Sequence, residues 1–163
     1  MIKVLVVCTG NTCRSPIAQE LLDDAVERSS SLGGKVKVSS AGTFTAEDAE
    51  ATREAQEVAE EYGLSLERHK AQQFTAEMAE KADIILAMDA IVYEQMEAIA
   101  PEETKKMHMF LGFANGVDGE QRGEEFSVLD PFDEDMDEYR ACAAQLKCAA
   151  EKIAERLEKE ITE

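Results

Sequence analysis

Positive charge, histidine and tryptophan are scarce in this chain of 163 residues: 17 Lys and Arg stand against 35 Asp and Glu, there are two His, and there is no Trp. The net charge of -18 repels phosphate backbones and anionic lipid surfaces at long range, which argues against nucleic acid and membranes as partners. No apolar run approaches membrane-spanning length. The stretch from Ile2 to Cys8 is too short, and interrupted by Lys3, to act as a secretory signal, so a cytoplasmic location is expected. Cys8, Cys13, Cys142 and Cys148 are too few and too unevenly placed for a disulfide framework, which predicts reduced thiols. No Cys-x-x-Cys pair occurs and His69 and His108 lie far apart, so neither a metal nor a cofactor is expected. Asp133, Asp135 and Asp137 look like the start of a calcium loop but lack its glycine and closing Glu.

What is present suffices for one domain over residues 1–163, with 44% apolar residues to fill its core. Ile2 to Val7 is a nearly uninterrupted, β-branched run that suits a strand covered on both faces. Ser15 and Pro16 make a cap and first-turn pair, and Ile17, Leu21, Leu22, Ala25 and Val26 recur at helical spacing. Val36 to Ser40 reads as a second strand, Ala46 to Tyr62 as a helix stopped by Gly63, Ala82 to Met88 as a third strand and Met107 to Leu111 as a fourth. Further helices are expected around Glu77, from Ala90 to Ala100, and along Tyr139, Cys142, Leu146, Ile153 and Leu157. Cys142 and Cys148, six apart on that last helix, read as core filling. Asn115 to Glu125 is glycine-rich and charged, which predicts a mobile surface loop. Strands alternating with helices imply a parallel α/β sandwich, whose ligands bind beyond the carboxyl ends of the strands. Cys8 lies at such an end. No pattern specifies an oligomeric state.

The string Cys8, Thr9, Gly10, Asn11, Thr12, Cys13, Arg14, Ser15 places five residues between Cys8 and Arg14. A strand-to-helix loop can turn successive N–H groups inward as an anion cradle backed by the helix dipole. Gly10 and Asn11 are residue types that tolerate the positive φ of such a curl. Arg14 can clamp two phosphoryl oxygens. The same donors favour Cys8 as a thiolate, the nucleophilic form, and attack on phosphorus would give a cysteinyl-phosphate that water releases. Cysteine and arginine at this spacing alone are equally compatible with a buried cysteine ending a strand. The full string is more specific, and neither a nucleotide P-loop nor a dinucleotide glycine triplet is present.

Cys8 to Pro16, with Ser40-Ala41-Gly42-Thr43, His69, Ala82-Asp83-Ile84-Ile85-Leu86-Ala87-Met88-Asp89 and Asp130-Pro131-Phe132 in that order, resembles the low-molecular-weight protein tyrosine phosphatases, including their protein arginine phosphatase branch. The resemblance spans nearly the whole chain. It implies a three-layer sandwich with a central four-stranded parallel sheet flanked by helices, no metal, phosphorylated protein substrates and a cysteinyl-phosphate intermediate. It also implies that Asp130, projected by the following proline, protonates the leaving group, buried beside the bound phosphate. Asn11, Ser40 and His69 would support the loop. Ser15 would activate the Cys8 thiolate, and Cys13 would trap an oxidised Cys8 as a reversible disulfide. Thioredoxin-coupled arsenate reductases share the first loop but carry their extra cysteines after the third strand.

Thr12 bears on the substrate. Tyrosine-directed members typically carry an aliphatic residue there, whereas arginine-directed members resemble this chain in having threonine, whose hydroxyl matches an apolar ring poorly. Phe132 followed by Asp133 is also similar to the arginine branch. Phosphoarginine is therefore the expected substrate, with Asp130 receiving the guanidinium and Phe44 walling the pocket. A tyrosine phosphatase in which Thr12 varies freely is the alternative reading. A noncatalytic phosphate-binding or redox-sensing module is a third.

Overall fold

The computed structural model describes residues 1–162. Four strands, β1 (Ile2–Cys8), β2 (Val36–Gly42), β3 (Ile84–Ala87) and β4 (Met107–Met109), pair in the order β2-β1-β3-β4, all parallel. Parallel neighbours require crossovers, and helices supply them. These are α1 (Arg14–Glu27), α2 (Arg53–Glu61), α3 (Ala76–Lys81), α4 (Ala90–Ile99), α5 (Phe110–Ala114) and α6 (Met136–Thr162), with 3₁₀ turns at Pro101–Lys106 and Glu124–Phe126. The sheet is thus the middle layer of a three-layer α/β sandwich, as expected.

The apolar run of β1 explains its central place, because Val4 to Val7 are all buried. Val4 and Val6 join Leu22, Val26, Leu146 and Ile153 of α1 and α6 on one face. Leu5 and Val7 join Ala79, Val92 and Met96 of α3 and α4 on the other. The register pairs Cys8 with Gly42, so the strand end that carries the thiol lies beside the end of β2.

Several expectations are corrected. The helix expected from Ala46 begins only at Arg53, because the chain before it is tied elsewhere. Asp48 adopts φ 65°, its N–H donates to Ala71 O and Ala71 N–H to Ala49 O, and Thr52 N–H donates to Thr12 O. Thr52 then caps α2 by accepting from Ala55 N–H. The fourth strand stops at Met109. The chain turns at once into α5, which sends Phe110, Leu111 and Phe113 into the core beside α6. Cys142 is buried as expected, but Cys148 falls on the outer side of α6 and is exposed. The glycine-rich loop is anchored, since Gly119 N–H donates to His108 Nδ1 at 2.9 Å, Asp118 pairs with Arg156 at 2.7 Å, and Arg122 pairs with Glu94. None of these partners belongs to the strand end that holds Cys8. Among the described residues, no helix is long and apolar enough to cross a membrane.

Candidate active site

The loop between Cys8 and Arg14 closes as a tight curl around the Cys8 sulfur. The strain is taken at one position, Asn11, whose φ is 56°. Gly10 was expected to share it but does not have positive φ. Asparagine tolerates this region because its short amide can bond locally, and Asn11 uses that capacity fully. Its N–H donates to Cys8 Sγ at 3.2 Å, and its Nδ2 donates to Ser15 Oγ at 2.8 Å and Ser40 Oγ at 3.0 Å. Its Oδ1 accepts from Gln72 N–H at 3.0 Å, and its carbonyl oxygen accepts from His69 Nε2–H at 2.6 Å. With 0% exposure, a residue this polar is stable only because these bonds are made.

The helix boundary differs from the expected one. Helix α1 starts at Arg14, its cap position is Cys13, and no side chain caps it. Ser15 lies inside the first turn, with its hydroxyl 2.9 Å from Cys8 Sγ. That hydroxyl accepts from Asn11, so its single proton is free for Cys8 in preference to Ala41 O at 3.5 Å. Ser15 therefore serves the thiol and not the cap. Ser40 passes the chain on, accepting from Asn11 and donating to Gln19 Oε1 at 2.6 Å. Burial lowers the His69 pKa, against the opposing effect of its bond to the Asn11 carbonyl. The ring is thus a neutral N–H donor near pH 7.

Arg14 is 2% exposed. One nitrogen, Nη1, donates to Asp89 Oδ2 at 2.7 Å and to the Val128 carbonyl at 2.9 Å, while Nη2 lies 3.6 Å from Asp130 Oδ2. Burial alone would lower its pKa, but Cys8, Asp89 and Asp130 together raise it, so the guanidinium is permanently charged. Its Nε is buried and makes no hydrogen bond among the described residues. Such a donor calls for an anionic acceptor from outside the chain.

Asp130 was expected to be buried, yet its side chain is 44% exposed. The loop that bears it arches outward with Leu129 and Phe132 toward solvent. Its Oδ1 accepts from Phe132 N–H at 3.1 Å and from the Cys13 thiol at 3.4 Å. This leaves Oδ2 on the side facing Arg14. The Asp-Pro turn and an oriented carboxyl are therefore one structure. The Cys13 pKa is pushed far above its ordinary value by burial, then by the Cys8 and Asp130 charges. Cys13 is thus held as a neutral thiol.

The remaining predicted residues lie around this centre. Thr12 is half-buried on the loop, and Thr9 O anchors Phe44 by accepting its N–H at 2.9 Å. Phe44 is 82% exposed and Phe132 56%, so these rings stand at the surface and do not close a walled pocket. Three contributors were not singled out from the sequence. Asp89 both caps α4, accepting from Val92 N–H, and holds Arg14. Gln72 braces Asn11. Gly42 lets the loop lie against β2, because a Cβ there would sit 2.5 Å from Thr9 O and 3.0 Å from Asn11 N. The Ser40 to Thr43 and Ala82 to Asp89 strings contained two of these three, but only their three-dimensional neighbours reveal the roles. Among the described residues no cluster of His, Cys, Asp and Glu could hold a metal ion.

Comparisons with known proteins agree with this geometry. Residues 3–163 match the family described as low molecular weight phosphotyrosine protein phosphatase. The low molecular weight protein-tyrosine-phosphatase Etp of Escherichia coli is 38% identical over 154 residues, covering 94% of this chain and 93% of its own. The protein-arginine-phosphatase of Geobacillus stearothermophilus is 35% identical over 158 residues, covering 97% of each. Among solved structures, a mutant of the YwlE arginine phosphatase with a phosphorylated active site serine superimposes with a TM-score of 0.87 at 31% identity, over 98% of this chain and 97% of that one. A thiol on a tight strand-to-helix curl, a buried guanidinium and a match over almost the full length lead to one assignment: the chain belongs to the low molecular weight protein phosphatase family.

Proposed function

We propose that this phosphatase hydrolyses phosphoarginine in proteins through a cysteinyl-phosphate on Cys8. The observation that carries the covalent route is the Cys8 sulfur held by the Ser15 hydroxyl and Asn11 N–H, with a buried Arg14 on the same loop whose Nε has no hydrogen-bond partner among the described residues. In the first step the Cys8 thiolate attacks phosphorus and the bond to the leaving nitrogen breaks. The electron pair leaves with that nitrogen, and Asp130 Oδ2 supplies its proton. In the second step Asp130, now a carboxylate, takes a proton from water as water attacks phosphorus. The P–S bond breaks and inorganic phosphate departs. Negative charge on the equatorial oxygens meets the loop N–H groups of Thr9 to Ser15 and Arg14 throughout.

Support for phosphoarginine comes from Thr12, which puts a hydroxyl where a phenol ring would prefer an aliphatic contact, and from Asp130, whose part-exposed carboxyl suits a guanidinium. The exposed rings of Phe44 and Phe132 favour the second reading, phosphotyrosine, because both offer faces for a phenol to stack on. Rates on matched phosphoarginine and phosphotyrosine peptides separate the two. We expect the phosphoarginine peptide to have the larger kcat/KM, and Thr12→Ile to move the ratio toward phosphotyrosine by roughly 10-fold, the scale of one misplaced polar contact. A ratio unchanged by that substitution would exclude Thr12 as the selector.

Cys13 is proposed as the resolving thiol. Peroxide would convert the Cys8 thiolate to a sulfenic acid, whose S–O bond breaks as the Cys13 sulfur attacks to form the disulfide, with Asp130 placed to relay the thiol proton to the departing hydroxide, which leaves as water. Wild-type activity lost to peroxide is expected to return on adding dithiothreitol, whereas Cys13→Ser should stay inactive as Cys8 oxidises further. Equal recovery of both proteins would remove Cys13 from this role.

A further inference from the structure

At the amino-terminal half of the sheet, on the face covered by α3 and α4, the edge strand β2 is left open. A cleft of about 290 Å³ lies there, lined by Lys3, Leu5, Lys37, Gln72, Met78 and Lys81, among others. It is separate from the catalytic centre, since Lys3 precedes Cys8 by five residues, roughly 16 Å along a strand. Its floor is apolar, with Leu5 buried and Met78 partly so. The charge is all at the rim.

Lys3 and Lys37 are direct register partners across β1 and β2, so both side chains rise from the same face. Like charges placed opposite each other on a sheet are unfavourable. In a chain with 35 acidic residues an intramolecular partner would be easy to provide, yet neither ammonium has an ion-pair or hydrogen-bond partner among the described residues. Asp83 accepts the backbone N–H of Lys3 at 2.8 Å instead of pairing with its ammonium. Lys81 adds a third positive charge, itself held by Glu77 at 3.0 Å. Two unneutralised ammonium groups over an apolar floor select for a dianion with an apolar body. The volume lies near the lower end for small-molecule sites, which fits a ligand of one or two rings.

Gln72 connects the wall of this cleft to the phosphate loop. Gln72 donates from Nε2 to Ser40 O at 2.8 Å and from its backbone N–H to Asn11 Oδ1 at 3.0 Å. An occupant that presses on Gln72 acts on the hydrogen bond that steadies the one strained residue of the cradle. We propose that the cleft binds a small organic dianion with an apolar body, and that Gln72 couples its occupancy to the catalytic loop.

Naphthalene-1,5-disulfonate is a suitable probe, titrated calorimetrically into full-length protein whose phosphate loop is already filled with orthovanadate. One equivalent should bind. The Lys3→Gln/Lys37→Gln protein should bind roughly tenfold more weakly, as expected for losing two exposed charge contacts, and the Lys3→Arg/Lys37→Arg protein should bind like wild type. Equal affinity in the Gln variant, or no binding beside orthovanadate, would overturn the site. Sulfate competing as well as the disulfonate at equal ionic strength would overturn the apolar part. Without orthovanadate, the probe should change the KM for p-nitrophenyl phosphate in wild type but not in the Gln variant. Binding with unchanged kinetics in wild type would overturn the coupling through Gln72.

Discussion

Serine in place of Cys8 should lower turnover by roughly 10⁴-fold or more, the scale seen when a covalent nucleophile is removed. The substitution replaces a thiol with a far less acidic and less nucleophilic hydroxyl. Among the described residues no general base lies within hydrogen-bond distance, because the groups that touch the sulfur, Ser15 Oγ and Asn11 N–H, are arranged as donors. The cradle itself should survive, since none of the bonds that Asn11 makes to Ser15, Ser40, His69 and Gln72 involves the sulfur. Single-turnover kinetics together with inorganic phosphate binding give the check. The expected pattern is near wild-type phosphate affinity with almost no phosphate release from substrate. Residual activity within tenfold of wild type would mean that Cys8 is not the attacking group.

Asn in place of Asp130 should cost about 10² to 10⁴ in kcat, the usual worth of a positioned acid, and the loss should depend on the leaving group. Asparagine keeps the Oδ1 that accepts from Phe132 N–H and the Cys13 thiol, so the turn is retained while Oδ2, the oxygen facing Arg14, becomes an amide nitrogen. That amide cannot hand over a proton. A strongly basic leaving group such as guanidine depends on protonation most, and a nitrophenolate least. Comparing phosphoarginine with p-nitrophenyl phosphate in the same variant therefore measures acid catalysis directly. Equal losses on the two substrates would reassign Asp130 from acid to simple positioning.

Much of this architecture was legible because local patterns decide it. The β-branched run Ile2 to Val7 has to be a two-sided strand, and a cysteine at its end followed six residues later by arginine has to bring both to the sheet's carboxyl edge. Misreadings occurred where distant contacts outweigh local preference. Ala46 to Thr52 has helical composition but is held open by Ala71 and Thr12. Ser15 looks like a cap until Cys8, seven residues earlier, takes its hydroxyl. Of two residues suited to positive φ, the sequence could not tell that Asn11 alone would adopt it, because the deciding partners come from β2 and from the segment around residue 70. Asp89 was hidden for a similar reason, since its capping of α4 is a local matter whereas its hold on Arg14 spans 75 positions.

The bonds that shape the cradle also determine when it can exist. The partners of Asn11 in Ser40, His69 and Gln72 lie 29, 58 and 61 positions away. Closing loops of that length costs chain entropy that only later packing returns. An isolated β1–α1 hairpin emerging during synthesis has the cysteine and the arginine but nothing to hold the left-handed turn between them. Catalytic competence should therefore arise among the last events of folding, once β2 and the residues around position 70 have docked. Partly folded chains of this phosphatase should be silent, so the cell is not exposed to indiscriminate dephosphorylation while the protein is being made.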